Sequence, residues 1–164
     1  MTTARPIALV TGASQGIGRA VALGLLQIGF RVVLAARRAE PLEALAEEAR
    51  QQGGEALAVP CDVTDAASVE ALFARIRETY GRLDLLFNNA GVGAPAVPID
   101  ELELDAWHRA VNTNLTGVFL CSRAAFALMR ADVAPAPARA ARRSPRDRRS
   151  SDASSCARAC GRRG

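Results

Sequence analysis

The chain opens its pattern with a short, unbroken apolar run, Ile7 to Val10, inside "PIALVTG". A run this brief predicts a strand covered on both faces. From Ile17 the spacing changes. Val21, Leu25 and Ile28 follow at helical intervals, and Gly29 supplies a stop. "RVVLAAR" (31–37) predicts a second buried strand. Pro41 suits the first turn of a helix whose apolar side is Leu42, Leu45, Ala46 and Ala49, ended by Gly53-Gly54. "EALAVPCDV" predicts a third strand, and "TDAASVEALFARIRETYG" a third helix with Thr64 or Asp65 as its cap. "LDLLFNNAG" predicts a fourth strand. From Asp105 onward Trp107, Val111, Leu115, Phe119 and Phe126 mark a long helix. Strands alternating with helices imply crossover connections, hence an α/β fold with a doubly wound parallel sheet.

The pattern stops after Met129. Residues 130–164 contain Val133 as their only branched apolar residue and are otherwise dominated by Ala, Arg, Ser, Pro, Gly and Asp. Such a stretch buries too little surface to offset its ordering entropy, so a disordered tail is expected beyond a partial domain of 1–129. Charge divides at the same place. Residues 1–129 carry 11 arginines and 14 acidic residues, whereas 130–164 carry 10 arginines and 3 aspartates. The basic balance therefore belongs to the tail and says nothing about what the ordered part binds. The tail's composition, rich in residues with G+C-rich codons, and its abrupt onset near residue 130 lead to the expectation of a reading-frame shift or a mis-called gene end in a G+C-rich genome.

Several absences limit the chemistry. All 21 cationic residues are arginine, Tyr80 is the only tyrosine and His108 the only histidine. Cys61, Cys121, Cys156 and Cys160 follow no disulfide or zinc spacing, so no metal site is expected. The N-terminus lacks a signal-peptide pattern, and no apolar stretch approaches the ~20 residues of a bilayer span. A reducing, cytoplasmic setting is the expectation.

Candidate chemistry sits between the first strand and the first helix, in "TGASQGIG" (11–18). Gly12, Gly16 and Gly18 allow a sharp turn, close approach of backbone to a phosphate, and tight helix–strand packing. The N–H groups and dipole at the helix start then favour an anion. Glycines alone also mark any turn needing positive φ; the position between strand and helix favours a dinucleotide site.

Thr11-Gly12-x-x-x-Gly16-Ile17-Gly18, then Asp62-Val63, then Asn88-Asn89-Ala90-Gly91, then "VNTNLTGVF" around Asn114 occur in the order and approximate spacing of the short-chain dehydrogenase/reductase family. The chain resembles that family over residues 5 to about 129. The resemblance implies a Rossmann-type sheet, here incomplete with about four strands, and hydride transfer between NAD(P) and an alcohol or carbonyl. It implies that Ser14, Gln15 and Ile17 line the phosphate turn, that Asp62 and Val63 meet the adenine, and that Asn89, Ala90 and Gly91 contact the ribose side. Asp62 also suits a helix cap. Asn88 suits tying down a strand end through side-chain hydrogen bonds.

The end of the second strand reads Ala35-Ala36-Arg37-Arg38, without the carboxylate that would bind a ribose 2′-hydroxyl. Arg37 and Arg38 favour a 2′-phosphate through charge-assisted bonds, so NADP is expected ahead of NAD; otherwise one or both simply face solvent.

In the family a serine follows a fifth strand, and a Tyr-x-x-x-Lys pair supplies the proton shuttle and the cation that lowers its pKa. No lysine and no tyrosine beyond Tyr80 occur here, and neither Ser144 nor Ser150 follows a strand-like run. Of the family's catalytic set only Asn114 is present, and it also suits bridging backbone groups at a helix bend. Tyr80, at a helix end before Gly81, suits packing. The expectation is a cofactor-binding chain incompetent alone, with a homo-oligomer through the 105–129 helix as a further option. The alternative is a polyanion- or nucleic-acid-binding module using the Arg-rich tail, which would bind without sequence preference but has no aromatic residue to stack on bases.

Overall fold

The computed structural model describes residues 5–132. The Arg-rich tail beyond them, with Cys156 and Cys160, lies outside the described residues. The elements are β1 (Ile7–Thr11), α1 (Gly16–Gln27), β2 (Arg31–Ala36), α2 (Ala39–Gln51), β3 (Glu55–Pro60), α3 (Ala66–Tyr80) and β4 (Leu85–Phe87). A short 3-10 turn (Ile99–Glu101) then leads to α4 (Leu104–Val111), a π turn (Asn112–Thr116) and α5 (Gly117–Asp132). α5 thus carries the helix past Met129, where the apolar pattern changes.

The four strands are parallel, in the order β3-β2-β1-β4. β1 is buried at every position, as its unbroken apolar run requires. Register pairs Leu9 with Val33 and Val10 with Leu34, so like faces align across the sheet. Ile7, Leu9, Val33 and Ala35 form one core with Val69, Leu72, Phe73 and Ile76 of α3 and Cys121, Ala125 and Leu128 of α5. Ala8, Val10, Val32 and Leu34 form the other with Ala22 of α1 and Leu42, Leu45 and Ala46 of α2. Strand alternation therefore feeds a separate core on each face.

Helix ends follow local chemistry. Asp65, not Thr64, caps α3: its carboxylate accepts a 3.0 Å hydrogen bond from the Ala67 N–H. Gly81, with φ of +73°, closes the same helix in the left-handed conformation. α1 differs, because the side chain of its cap residue Gln15 makes no hydrogen bond to the helix N–H groups and its first turn holds no acidic residue. Its start is left electropositive toward the C-terminal edge of the sheet.

Two sequence expectations change. The long helix from residue 105 is two helices joined by a wider turn. And four of its five marker residues point outward: Trp107, Leu115, Phe119 and Phe126 are each more than half exposed, whereas Val111 is half-buried. Ile28, at the end of α1, is exposed as well.

Candidate cofactor cleft

Loops at the C-terminal ends of all four strands surround a cleft of about 950 Å³, within the roughly 300–1,000 Å³ typical of small-molecule sites. Its first wall is the glycine turn. Gly12 adopts φ of +66°, and a Cβ there would lie 2.9 Å from both the Ala90 Cα and the Asn89 Nδ2. A Cβ on Gly18 would lie 2.3 Å from the Gly12 carbonyl oxygen. Gly18 is therefore a packing residue that seats α1 on the turn; it is buried and not part of the wall. Ser14, Gln15, Gly16 and Ile17 do line it.

Thr11 organises this corner, a role its sequence signal conveyed only as part of the motif. Its buried hydroxyl accepts hydrogen bonds from the Asn89 N–H (3.0 Å) and the Ala90 N–H (3.1 Å) and donates to the Phe87 carbonyl (3.4 Å). A buried hydroxyl needs such partners, and here they lock the end of β4 to the end of β1. The Asn89 amide donates to the Thr11 and Gly12 carbonyls at 3.1 and 3.2 Å. Asn89 thus lines the cleft while its side chain holds the turn. Asn88 points elsewhere, donating to the Ser122 hydroxyl of α5 at 3.1 Å, the tying role expected for it.

The second wall is the end of β2. Arg37 and Arg38 are exposed at the rim, and Arg38 reaches Gln15 Oε1 at 3.4 Å. The third is Cys61–Thr64. Asp62 Oδ1 accepts from the Thr64 N–H (2.9 Å) and hydroxyl (2.8 Å), leaving Oδ2 without a hydrogen bond among the described residues. The Thr64 N–H bond outweighs burial and, with the Arg37 charge, holds this carboxyl below its usual value. Cys61 moves the other way, pushed up chiefly by burial.

The fourth wall was partly missed. Ala90, Gly91 and Val92 line it as a continuation of β4, joined by Arg109, Asn112 and Thr113. Asn114 stands behind them. Its Oδ1 accepts from the Val92 N–H at 2.9 Å and its Nδ2 donates to the Val92 carbonyl at 2.8 Å. The amide thereby fastens the π turn to the strand extension. It is not itself part of the cleft wall. The signal for Arg109, Asn112 and Thr113 was their i, i+3, i+4 spacing on one helix side, which only the position of α4 makes meaningful.

Tyr80 lies at the far side of the sheet. Its ring stands under the Arg31 guanidinium at 5.9 Å, beside Glu55, at the starts of β2 and β3. The cleft occupies the strands' other ends. Burial, then the neighbouring Glu55 charge, raises the Tyr80 phenol, opposite to what a proton shuttle needs.

Comparison with known proteins decides the family. The model of the short chain dehydrogenase family matches residues 6–135. The chain is a short-chain dehydrogenase/reductase. This family member is 42% identical over 123 residues to the 3beta-hydroxysteroid dehydrogenase of Mediterraneibacter gnavus, covering 75% of this chain and 45% of that protein. It is 40% identical to the 3-oxoacyl-[acyl-carrier-protein] reductase of Synechocystis, covering 75% of this chain and 50% of the reductase. It spans about half the length of the curated relatives it matches. Among solved structures, a metagenomic short-chain oxidoreductase in complex with NADP superposes with a TM-score of 0.73 at 39% identity, covering 77% of this chain and 57% of the other. A variant of actinorhodin polyketide ketoreductase with NADPH gives 0.72 at 40% identity, with 76% and 47% covered.

The residues present fit a dinucleotide. The helix start has no side-chain cap, the glycine turn lines the cleft with Gly12 and Gly16, and arginines flank the rim. Among the described residues no helix is long and apolar enough to cross a membrane.

Proposed function

We propose that this short-chain dehydrogenase/reductase chain binds NADP(H) in the cleft, its adenosine end foremost, and does not by itself complete hydride exchange. The observation that carries the reading is the electropositive pairing of an uncapped α1 start with Arg37 and Arg38, with no carboxylate at the end of β2. Backbone N–H groups of Gly16 and Ile17 hold the pyrophosphate, and Gly12 lets it approach. Arg37 and Arg38 bind the 2′-phosphate. Asp62, through its free Oδ2, and Val63 receive the adenine, and Asn89, Ala90 and Gly91 bound the ribose side. Asn114 serves by holding the π turn to Val92.

The dinucleotide supplies the hydride when bound. The chain must still supply a proton donor or acceptor near the reacting carbon. Beside its arginines, the cleft's titratable side chains are Cys61, whose pKa burial raises, and Asp62, whose pKa is lowered. Neither is tuned toward neutrality, and Tyr80 sits across the sheet. The free thiols of Cys61 and Cys121 agree with a reducing, cytoplasmic setting. The exposed apolar side of α4 and α5, from Trp107 to Phe126, suits contact with a second copy.

Calorimetric titration with NADPH and NADH tests the reading. NADPH binds more tightly, and Arg37→Asp erases that preference while leaving NADH affinity within about threefold. Equal weakening of both cofactors refutes the 2′-phosphate assignment. NADPH oxidation by the pure chain with any carbonyl substrate refutes incompetence.

A further inference from the structure

Arg109 lies on the wall of the cleft with Asn112 and Thr113. At spacings of i, i+3 and i+4 the three share one side of the helix as it enters the π turn. The guanidinium is exposed and makes no ion pair or hydrogen bond with any described residue. Asp105 stands one turn earlier, where a helix arginine commonly finds its partner, and the two are not paired.

The wall that presents Arg109 is fixed. Asn114 clasps both backbone groups of Val92. A Cβ on Gly117 would fall 2.8 Å from Val63 Cγ2, so the first turn of α5 rests directly on the Asp62–Val63 segment. The helical wall that carries Arg109 therefore keeps its place relative to the Asp62–Val63 side of the cleft. Charge indicates what it meets there. Residues 1–129 are acidic on balance, yet the cleft gathers Arg37, Arg38 and Arg109 against one carboxylate, Asp62. Charges of one sign lining a cleft attract and hold a ligand of the opposite sign.

We propose that Arg109 is a third cationic anchor for the nucleotide, engaging its phosphate-bearing adenosine end from the α4 wall while Arg37 and Arg38 act from the end of β2. The 2′-phosphoadenosine half then carries most of the affinity, without help from the nicotinamide half. This rests on the cofactor reading above and adds to it a residue and a ligand class.

The full chain is titrated with adenosine 2′,5′-bisphosphate and with NADPH, as wild type, Arg109→Ala and Arg109→Lys, with circular dichroism confirming that each variant folds. The wild type binds both ligands within about tenfold of each other. Arg109→Ala weakens both by roughly five- to tenfold and flattens the salt dependence of binding, while Arg109→Lys retains most of the affinity. Unchanged affinities in Arg109→Ala overturn the inference and leave the cofactor reading standing. So does a loss confined to NADPH, which would assign Arg109 to the nicotinamide half. A wild type that binds neither ligand removes both.

Discussion

Helices α2 and α5 show the same kind of apolar periodicity and use it in opposite ways. In α2 the residues at helical spacing, Leu42, Leu45, Ala46 and Ala49, are all buried. In α5 the small Cys121 and Ala125, with Leu128, enter the core, while Phe119 and Phe126 are 58% and 67% exposed. The difference teaches that periodicity announces a helix but does not say which of two apolar stripes the chain itself covers. Where a helix carries large apolar residues on one side and small ones on another, packing close to a neighbour selects the small side. α5 lies against α3 in just this way, within one core.

Substitutions sharpen that contrast. Leu9→Ala, in a fully buried β1 position, costs about 2–5 kcal/mol by denaturant unfolding. Gly18→Ala forces apart α1 and the Gly12 carbonyl, costing about 1–3 kcal/mol as overpacking does, and it abolishes NADPH binding at concentrations that saturate the wild type. Gly24→Ala is its control: a Cβ there meets nothing within 4 Å, so stability holds or rises by up to about 1 kcal/mol. Asn114→Ala, which strands both Val92 backbone groups, costs roughly 1–2 kcal/mol. Phe126→Ala changes the stability of the dilute chain by no more than about 0.5 kcal/mol. A large loss there at all concentrations would mean that α5 buries its other side.

The smallest effect concerns pH. The Asp62 carboxyl ionises at lower pH in the folded chain than its usual value, because the Thr64 N–H and hydroxyl favour the carboxylate over the opposing effect of burial. The stabilisation is present above the unfolded value of about 4 and fades as pH falls through the folded one. The gap in melting temperature between wild type and Asp62→Asn therefore narrows on acidification, and a gap that widens contradicts the assignment.

Much of the first half was legible because each signal was local. The run Ile7–Val10 had to be a doubly covered strand, and Gly81 and Asp65 close α3 by chemistry confined to a few residues. What escaped was non-local. The roles of Thr11 and Asn89 depend on bonds spanning 76 to 79 positions. Gly18 was legible as necessary, but whether it touches a ligand or a carbonyl follows only from where α1 sits. Asn114 was legible as a bridge at a bend; that it clasps Val92 follows from β4 running on beneath the π turn.

A crystal structure of the full chain grown with NADPH tests the central claim most directly. The 2′-phosphate is expected beside Arg37 and Arg38, the pyrophosphate on the N–H groups that open α1, and no protonatable side chain of this chain within hydrogen-bonding reach of a substrate oxygen at the nicotinamide ring. A nucleotide bound away from the glycine turn, or a titratable side chain placed over that ring, contradicts the account.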